Sequence, residues 1–332
     1  MRPEGAAQNT HDQFLSIINN CSVIFWRSPF SPLYQIKRIM KTINTLYHHL
    51  NKILGPSVDG FVSSSINTGF TNIDQQLNGL QLGELYVLGG AAAMGTKTMA
   101  KELALRVANH SGVLFLPQVE SLDELTKKLL CIEGDIQLCS IEKQPWDTKL
   151  SSKVSKTMKA FKQKKFYLKN VWQYTEDDFF QLLEDYITQS DVKLIIIDHE
   201  ERLFKNLKGS YSAEEKYLFV LKLKLLLNRL NCCGILLKKM NAPKPTEENP
   251  YQIPSLEDIQ SEYDITRLAN HLWIMHRLDY YGIEEDEVNN DTKNRIDLFV
   301  MDEDEGYLDN LYFKFNERFT GFEVMEELRK TK

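Results

Sequence analysis

Chemistry is most concentrated in the run GGAAAMGTKT (89–98), where glycines and alanines lead into two threonines and a lysine. A loop of this kind can turn its backbone N–H groups inward on phosphate oxygens. It would set a lysine on the outer phosphates and a Ser or Thr hydroxyl on Mg²⁺. Gly90, Met94, Gly95, Thr96, Lys97 and Thr98 are therefore the candidate cradle residues. A second feature is Asp198, which ends the most apolar run of the chain, VKLIIID (192–198). A third is KLSSKVSKTMKAFKQKKFYLKN (149–170), with eight lysines, no acid, and Phe161, Phe166 and Tyr167 interleaved. Lys162, Lys164 and Lys165 could touch a nucleic-acid backbone there; a solvated helix face is the plainer reading.

These residues need elements to hold them, and hydrophobic patterning supplies the elements. ELYVLGG (84–90), VLFLPQ (113–118), VKLIIID (192–198), CCGILLKK (232–239), HLWIMHRL (271–278), IDLFVM (296–301) and LYFKF (311–315) read as strands. Between them, 96–110, 122–133, 175–189 and 213–231 carry helical patterns. Apolar strands alternating with helices imply a mostly parallel sheet covered on both faces. The candidate loop then joins a strand to a helix, where a helix N-terminus favours anions. Ahead of this region, residues 34–54 carry one apolar stripe at helical spacing, stopped by Gly55 and Pro56. GPSVDGFVSSSIN (55–67) is a linker by composition, and His48 and His49 fall off the stripe as surface residues.

Composition sets the outer limits. The chain has 332 residues and a net charge of −6, so any polyanion contact must come from a local patch. Five cysteines without a CxxC pair argue against structural zinc and for free buried thiols in a reducing compartment. No apolar run is long enough to span a bilayer, and the first residues lack a secretory layout. A cytoplasmic protein with no membrane contact is expected.

TGFTNIDQQLNGLQLGELYVLGGAAAMG (68–95) resembles the segment that opens the motor domain of DnaB-type replicative helicases. The resemblance continues in order through DELTKKLLCIEGDI (123–136), LIIIDHEERL (194–203), LNRLNCCGILLKKMN (227–241), PSLEDIQSEYDITRLANHLWIMHRLDYY (254–281) and LYFKFNERFTGFE (311–323). It implies a RecA-like domain over 64–332 and an N-terminal extension, 1–63, with a linker-type helix at 34–54. It also implies ring assembly with copies of the chain or a family partner, an ATP site shared between neighbours, and possible DNA contact. Loops near 205–215 and 242–256 would face the DNA.

Set against that resemblance, the chain departs at several positions. Where the family has Met-Gly-Lys-Thr, this sequence has Met94-Gly95-Thr96-Lys97-Thr98. Read without a gap, Thr96 takes the Lys position and Lys97 the Mg²⁺-hydroxyl position; with one inserted residue, Lys97-Thr98 are the usual pair. Asp198 matches the Mg²⁺-binding acid. The catalytic Glu falls on Val119, with Glu120 one later and, by strand alternation, on the opposite face. The sensor Gln corresponds to Lys239, and the two cations that reach the neighbour's γ-phosphate fall on Asp302 and Asp304, in an acidic turn. ATP and Mg²⁺ binding would be weakened. The expected protein is a structural or regulatory partner in DNA replication or on a mobile element. The alternatives are an ATP-dependent helicase using Lys97, Thr98, Glu120 and Asp198 in a shifted site, and a non-hydrolysing DNA-binding module.

Overall fold

The chain divides at Ser63/Ser64. The computed structural model describes residues 65–325 apart from 144, 244, 260–262, 303–305, 317 and 319. The expected helix at 34–54, with His48 and His49, and Cys21 lie outside the described residues.

Strand β1 (Ser65–Ile66) pairs antiparallel with β2 (Leu80–Gln81) around the short helix α1 (Thr71–Gln76). The last residues of the linker expected over 55–67 are therefore strand at Ser65–Ile66, and 55–64 lie outside the described residues. Then come β3 (Leu85–Gly90), α2 (Thr96–Val107), β4 (Gly112–Pro117), α3 (Leu122–Gly134), α4 (Leu138–Glu142), α5 (Thr148–Phe161) and β5 (Phe166–Leu168). The second half runs α6 (Glu176–Gln189), β6 (Val192–Asp198), α7 (Glu200–Asn206), α8 (Ala213–Arg229), β7 (Cys233–Lys239), β8 (His271–His276), β9 (Arg295–Asp302), β10 (Gly306–Phe315) and β11 (Phe322–Val324).

Nine strands form one sheet in the order β11-β10-β9-β8-β3-β7-β6-β4-β5. From β8 to β5 the pairings are parallel, and β9 to β11 add an antiparallel edge. The sequence signals fix the helix starts. Ser121, Thr175 and Ser212 each close a capping box with the acid three residues on, Glu124, Asp178 and Glu215.

Alternation along the strands feeds two cores. Tyr86, Leu88, Leu194, Ile196, Ile235 and Leu237 face one side, with Met99, Ala100 and Leu103 of α2. Leu85, Val87, Ile195, Ile197 and Leu236 face the other, with α6 and α8. On α8, Tyr217, Phe219, Val220, Leu223, Leu226 and Leu227 are buried, each stabilising the fold by roughly 1.5–3 kcal/mol. Glu102, buried on α2, accepts from the Arg106 guanidinium and from the Phe322 backbone N–H at 2.7 Å, which ties the sheet's antiparallel edge to that helix.

Among the described cysteines, Cys131, Cys232 and Cys233 are buried free thiols. Cys139 is exposed, so the expectation of buried thiols fails there because α4 is a short surface helix. Among the described residues no helix is long and apolar enough to cross a membrane.

Candidate functional site

The loop between β3 and α2 is shaped by two glycines. A Cβ on Gly90 would sit 2.5 Å from Thr96 Oγ1 and 3.2 Å from the Met275 carbonyl oxygen. Gly95, the residue before α2, has φ +93°, and a Cβ there would sit 3.0 Å from the Phe315 ring. Ala93 is also left-handed, at φ +68°. The first N–H groups of α2 have no partner within the helix and carry its positive end. Alternating backbone handedness before a helix start makes a concavity suited to an anion.

Behind this concavity stands Asp198, at the end of β6 and 2% exposed. Its Oδ1 accepts no hydrogen bond, and the Lys97 ammonium lies 3.6 Å from it. Burial pushes the Asp198 carboxyl up from its usual range, and Lys97 and Lys101 pull it partly back. Thr96 turns its hydroxyl toward Gly90, so the side chain beside the carboxylate is a cation. Thr98 lies one position further, about 100° around the helix from Lys97. Of the two threonines and the lysine, it is Lys97 that approaches the Asp198 carboxylate.

Mg²⁺ does not fit this arrangement. It needs oxygen ligands at close range, and an ammonium already faces the one carboxylate at the loop. Among the described residues no group of three His, Cys, Asp or Glu side chains could hold a metal.

Glu120 sits differently from what alternation predicts. Strand β4 ends at Pro117 and residues 118–120 bend, so the period of two no longer applies. The carboxylate folds onto Lys101 Nζ at 2.9 Å and Lys128 Nζ at 3.0 Å. Burial alone would raise its pKa, but the two lysines outweigh that and hold it below the usual Glu range. Val119 is 49% exposed. Lys101, buried one helical turn after Lys97, was not singled out from sequence, although its spacing of four places it on the same face. Arg277 was also missed. It follows β8, pairs with Asp279 at 2.8 Å, and donates to the Ala93 carbonyl at 3.4 Å.

The family described as DnaB-like helicase C terminal domain matches residues 65–324. The chain belongs to that family. It is 22% identical over 264 residues to the replicative DNA helicase DnaB of Leifsonia xyli, covering 79% of this chain and 56% of that protein. Against the DnaB of Geobacillus stearothermophilus it is 21% identical over 272 residues, covering 81% and 58%. The chain thus spans little more than half the length of these relatives. Among solved structures, a DnaB-like replicative helicase described with its interactions with primase superposes at TM-score 0.68 and 15% identity, covering 96% and 75%. A solved ATPase domain gives 0.67 and 16%, covering 87% and 99%. The sheet with helices on both faces is the RecA-like fold of these DnaB-type domains.

The other DnaB positions fall as follows. Lys239 ends β7 beside Gly90 and is exposed, and alternation puts it on the α2 side of the sheet. Its neighbour Lys238 points the other way and is buried, at 3.0 Å from Glu200 and 2.9 Å from Glu201; Tyr263 donates to Glu200 at 2.5 Å. Asp302 ends β9 and pairs with Gly306 of β10. Asp304 lies outside the described residues.

Of the lysines singled out for DNA contact, Lys164 is occupied by the fold. It is 3% exposed, 3.1 Å from Glu133, and donates to the Leu105 carbonyl and to Asn109. Lys162 follows α5 at the surface, and Lys165 is 57% exposed with Asp191 3.9 Å away. The part of the run up to Phe161 is helix α5 with one inward-facing stripe, Val154 and Thr157, and the rest leads through a turn into β5. His199 precedes α7, and burial brings its pKa down to about 4.

Proposed function

We propose that this DnaB-like domain does not run an efficient ATPase cycle and serves as a structural or regulatory partner in DNA replication or on a mobile element. The observation that carries the reading is the Lys97 ammonium 3.6 Å from Asp198. Phosphoryl transfer from ATP relies on positioning and on cations that neutralise developing charge. A metal drawn to Asp198 would meet a fixed positive charge instead of a hydroxyl.

Two further observations support the reading. Glu120, the nearest candidate for orienting water, is held by Lys101 and Lys128. The sequence also carries Asp302 and Asp304 where the family resemblance implies cations, and two anions repel a γ-phosphate. Assembly would run through faces of the RecA-like domain, with copies of the chain or a helicase-family partner. Any ATP taken up is held rather than cleaved.

Steady-state ATP turnover, with and without single-stranded DNA, tests this. Ordinary enzymes turn over at about 1–1,000 s⁻¹. The expected value here is below about 0.01 s⁻¹ under either condition. Turnover near 1 s⁻¹ that disappears in Lys97→Ala would establish instead a helicase working through Lys97, Thr98, Glu120 and Asp198.

A further inference from the structure

We propose that the loop at 90–98 binds a nucleoside triphosphate without a divalent metal, the Lys97 ammonium standing where the metal ion would be. The inference rests on the non-hydrolysing reading above and adds to it a ligand and a binding mode.

Three observations lead there. First, the cradle is intact: Gly90 leaves no room for a side chain, and Gly95 is left-handed before the twelve-residue helix α2. Second, Asp198 is 2% exposed, yet its Oδ1 accepts no hydrogen bond, and the Lys97 ammonium lies 3.6 Å from it. In metal-dependent sites such a carboxylate faces the ion. Third, the Lys97 side chain is 40% exposed and so not enclosed by the fold. It carries three N–H donors. Asp198 can hold one, leaving the others for phosphate oxygens.

The charge balance around the loop agrees. Lys97, Lys101, Lys128 and Arg277 are answered by Asp198, Glu120 and Asp279, and Lys239 stands exposed beside Gly90 on the same side of the sheet. The surplus is cationic before any metal arrives. A triphosphate needs that surplus, whereas Mg²⁺ would be repelled by it. No bond is made or broken; the proposal is for binding alone.

The test is equilibrium binding of ATP to the full chain by calorimetry, in EDTA and in excess Mg²⁺, with ADP and inorganic tripolyphosphate alongside. The expected result is equal or tighter binding in EDTA, retained within about threefold in Lys97→Arg. Lys97→Thr should lose at least tenfold in EDTA and regain affinity when Mg²⁺ is added, because it restores a hydroxyl beside Asp198. Circular dichroism of each variant checks folding, and Lys97→Arg keeps the buried carboxylate partnered. Binding that requires Mg²⁺ in the unmutated chain overturns the proposal, as does unchanged metal-free binding in Lys97→Thr. Failure to bind ATP in either buffer also overturns it, yet leaves the non-hydrolysing reading standing; rapid turnover would remove that reading instead.

Discussion

Replacing Lys238 by Met should destabilise the domain more than any surface lysine replacement, because it strands a buried carboxylate. Lys238 and Glu200 are 1% and 2% exposed, with nitrogen and oxygen 3.0 Å apart. At an effective dielectric constant near 20, that separation corresponds to an attraction of about 5 kcal/mol. Glu201 is 46% exposed, so its contact with the same ammonium at 2.9 Å adds under about 1 kcal/mol. After the substitution, Glu200 keeps the Tyr263 hydroxyl at 2.5 Å but loses its counter-charge. Removing one member of a buried pair costs about 3–5 kcal/mol. With a urea m-value of about 3 kcal/mol/M, the midpoint should fall by roughly 1–1.7 M. Lys238→Met/Glu200→Gln should recover most of the loss, since it removes both charges and leaves the amide to accept from Tyr263. A midpoint shift below about 0.3 M for Lys238→Met, or a double variant no better than the single, would refute the assignment of this cluster as a mutually dependent ion pair.

Three further outcomes can be checked. Lys164→Met should lower stability in urea by about 2–3 kcal/mol through the unpaired Glu133 and lost hydrogen bonds, whereas Lys162→Met and Lys165→Met should stay within about 0.5 kcal/mol. His276 is 1% exposed and burial brings its pKa down to about 4, so the stability that comes from keeping it neutral is complete above about pH 6.5 and is lost as pH falls through 4. The advantage of the unmutated chain over His276→Gln should therefore shrink by about 3 kcal/mol between pH 7 and pH 4 in urea titrations. Comparing the two at each pH cancels Asp297, whose pKa is raised by burial to about 6 and which acts in the opposite sense, favouring the fold below pH 4 and losing that contribution toward pH 6. Gly90→Ala should cost about 1–3 kcal/mol in thermal unfolding and abolish ATP binding, since its Cβ would meet the Met275 carbonyl oxygen, which is fixed in the sheet.

Much of this architecture could be read from the chain because long apolar strands and capped helices announce themselves locally. The run 192–198 is the strand β6, and Ser212 with Glu215 marks the start of α8 to the residue. Short elements were less visible. Helix α7 has seven residues, too few to display a period, and β5 has three. At the site, the glycine loop and Asp198 were legible because each belongs to a contiguous pattern. The register of Thr96 and Lys97 was not, since both readings satisfy the same string, and neither predicts that the Lys97 ammonium comes within 3.6 Å of Asp198. Glu120 misled because strand alternation assumes a strand, and β4 stops at Pro117. Arg277 could not be found by local pattern at all. It reaches Ala93 only because β8 lies beside β3 in the sheet, an adjacency set by topology.

The grip of Glu102 on the Phe322 amide has a practical consequence for anyone trimming this protein. Residue 322 lies near the far end of the sequence, yet its N–H is the partner of an acid on the helix that starts at the glycine loop. A chain cut before β11 would strip that acid of a donor and withdraw the Phe322 ring from beside Gly95. The shortest fragment that keeps the loop in its present shape therefore has to run through Val324, however dispensable a terminal hairpin looks in a diagram.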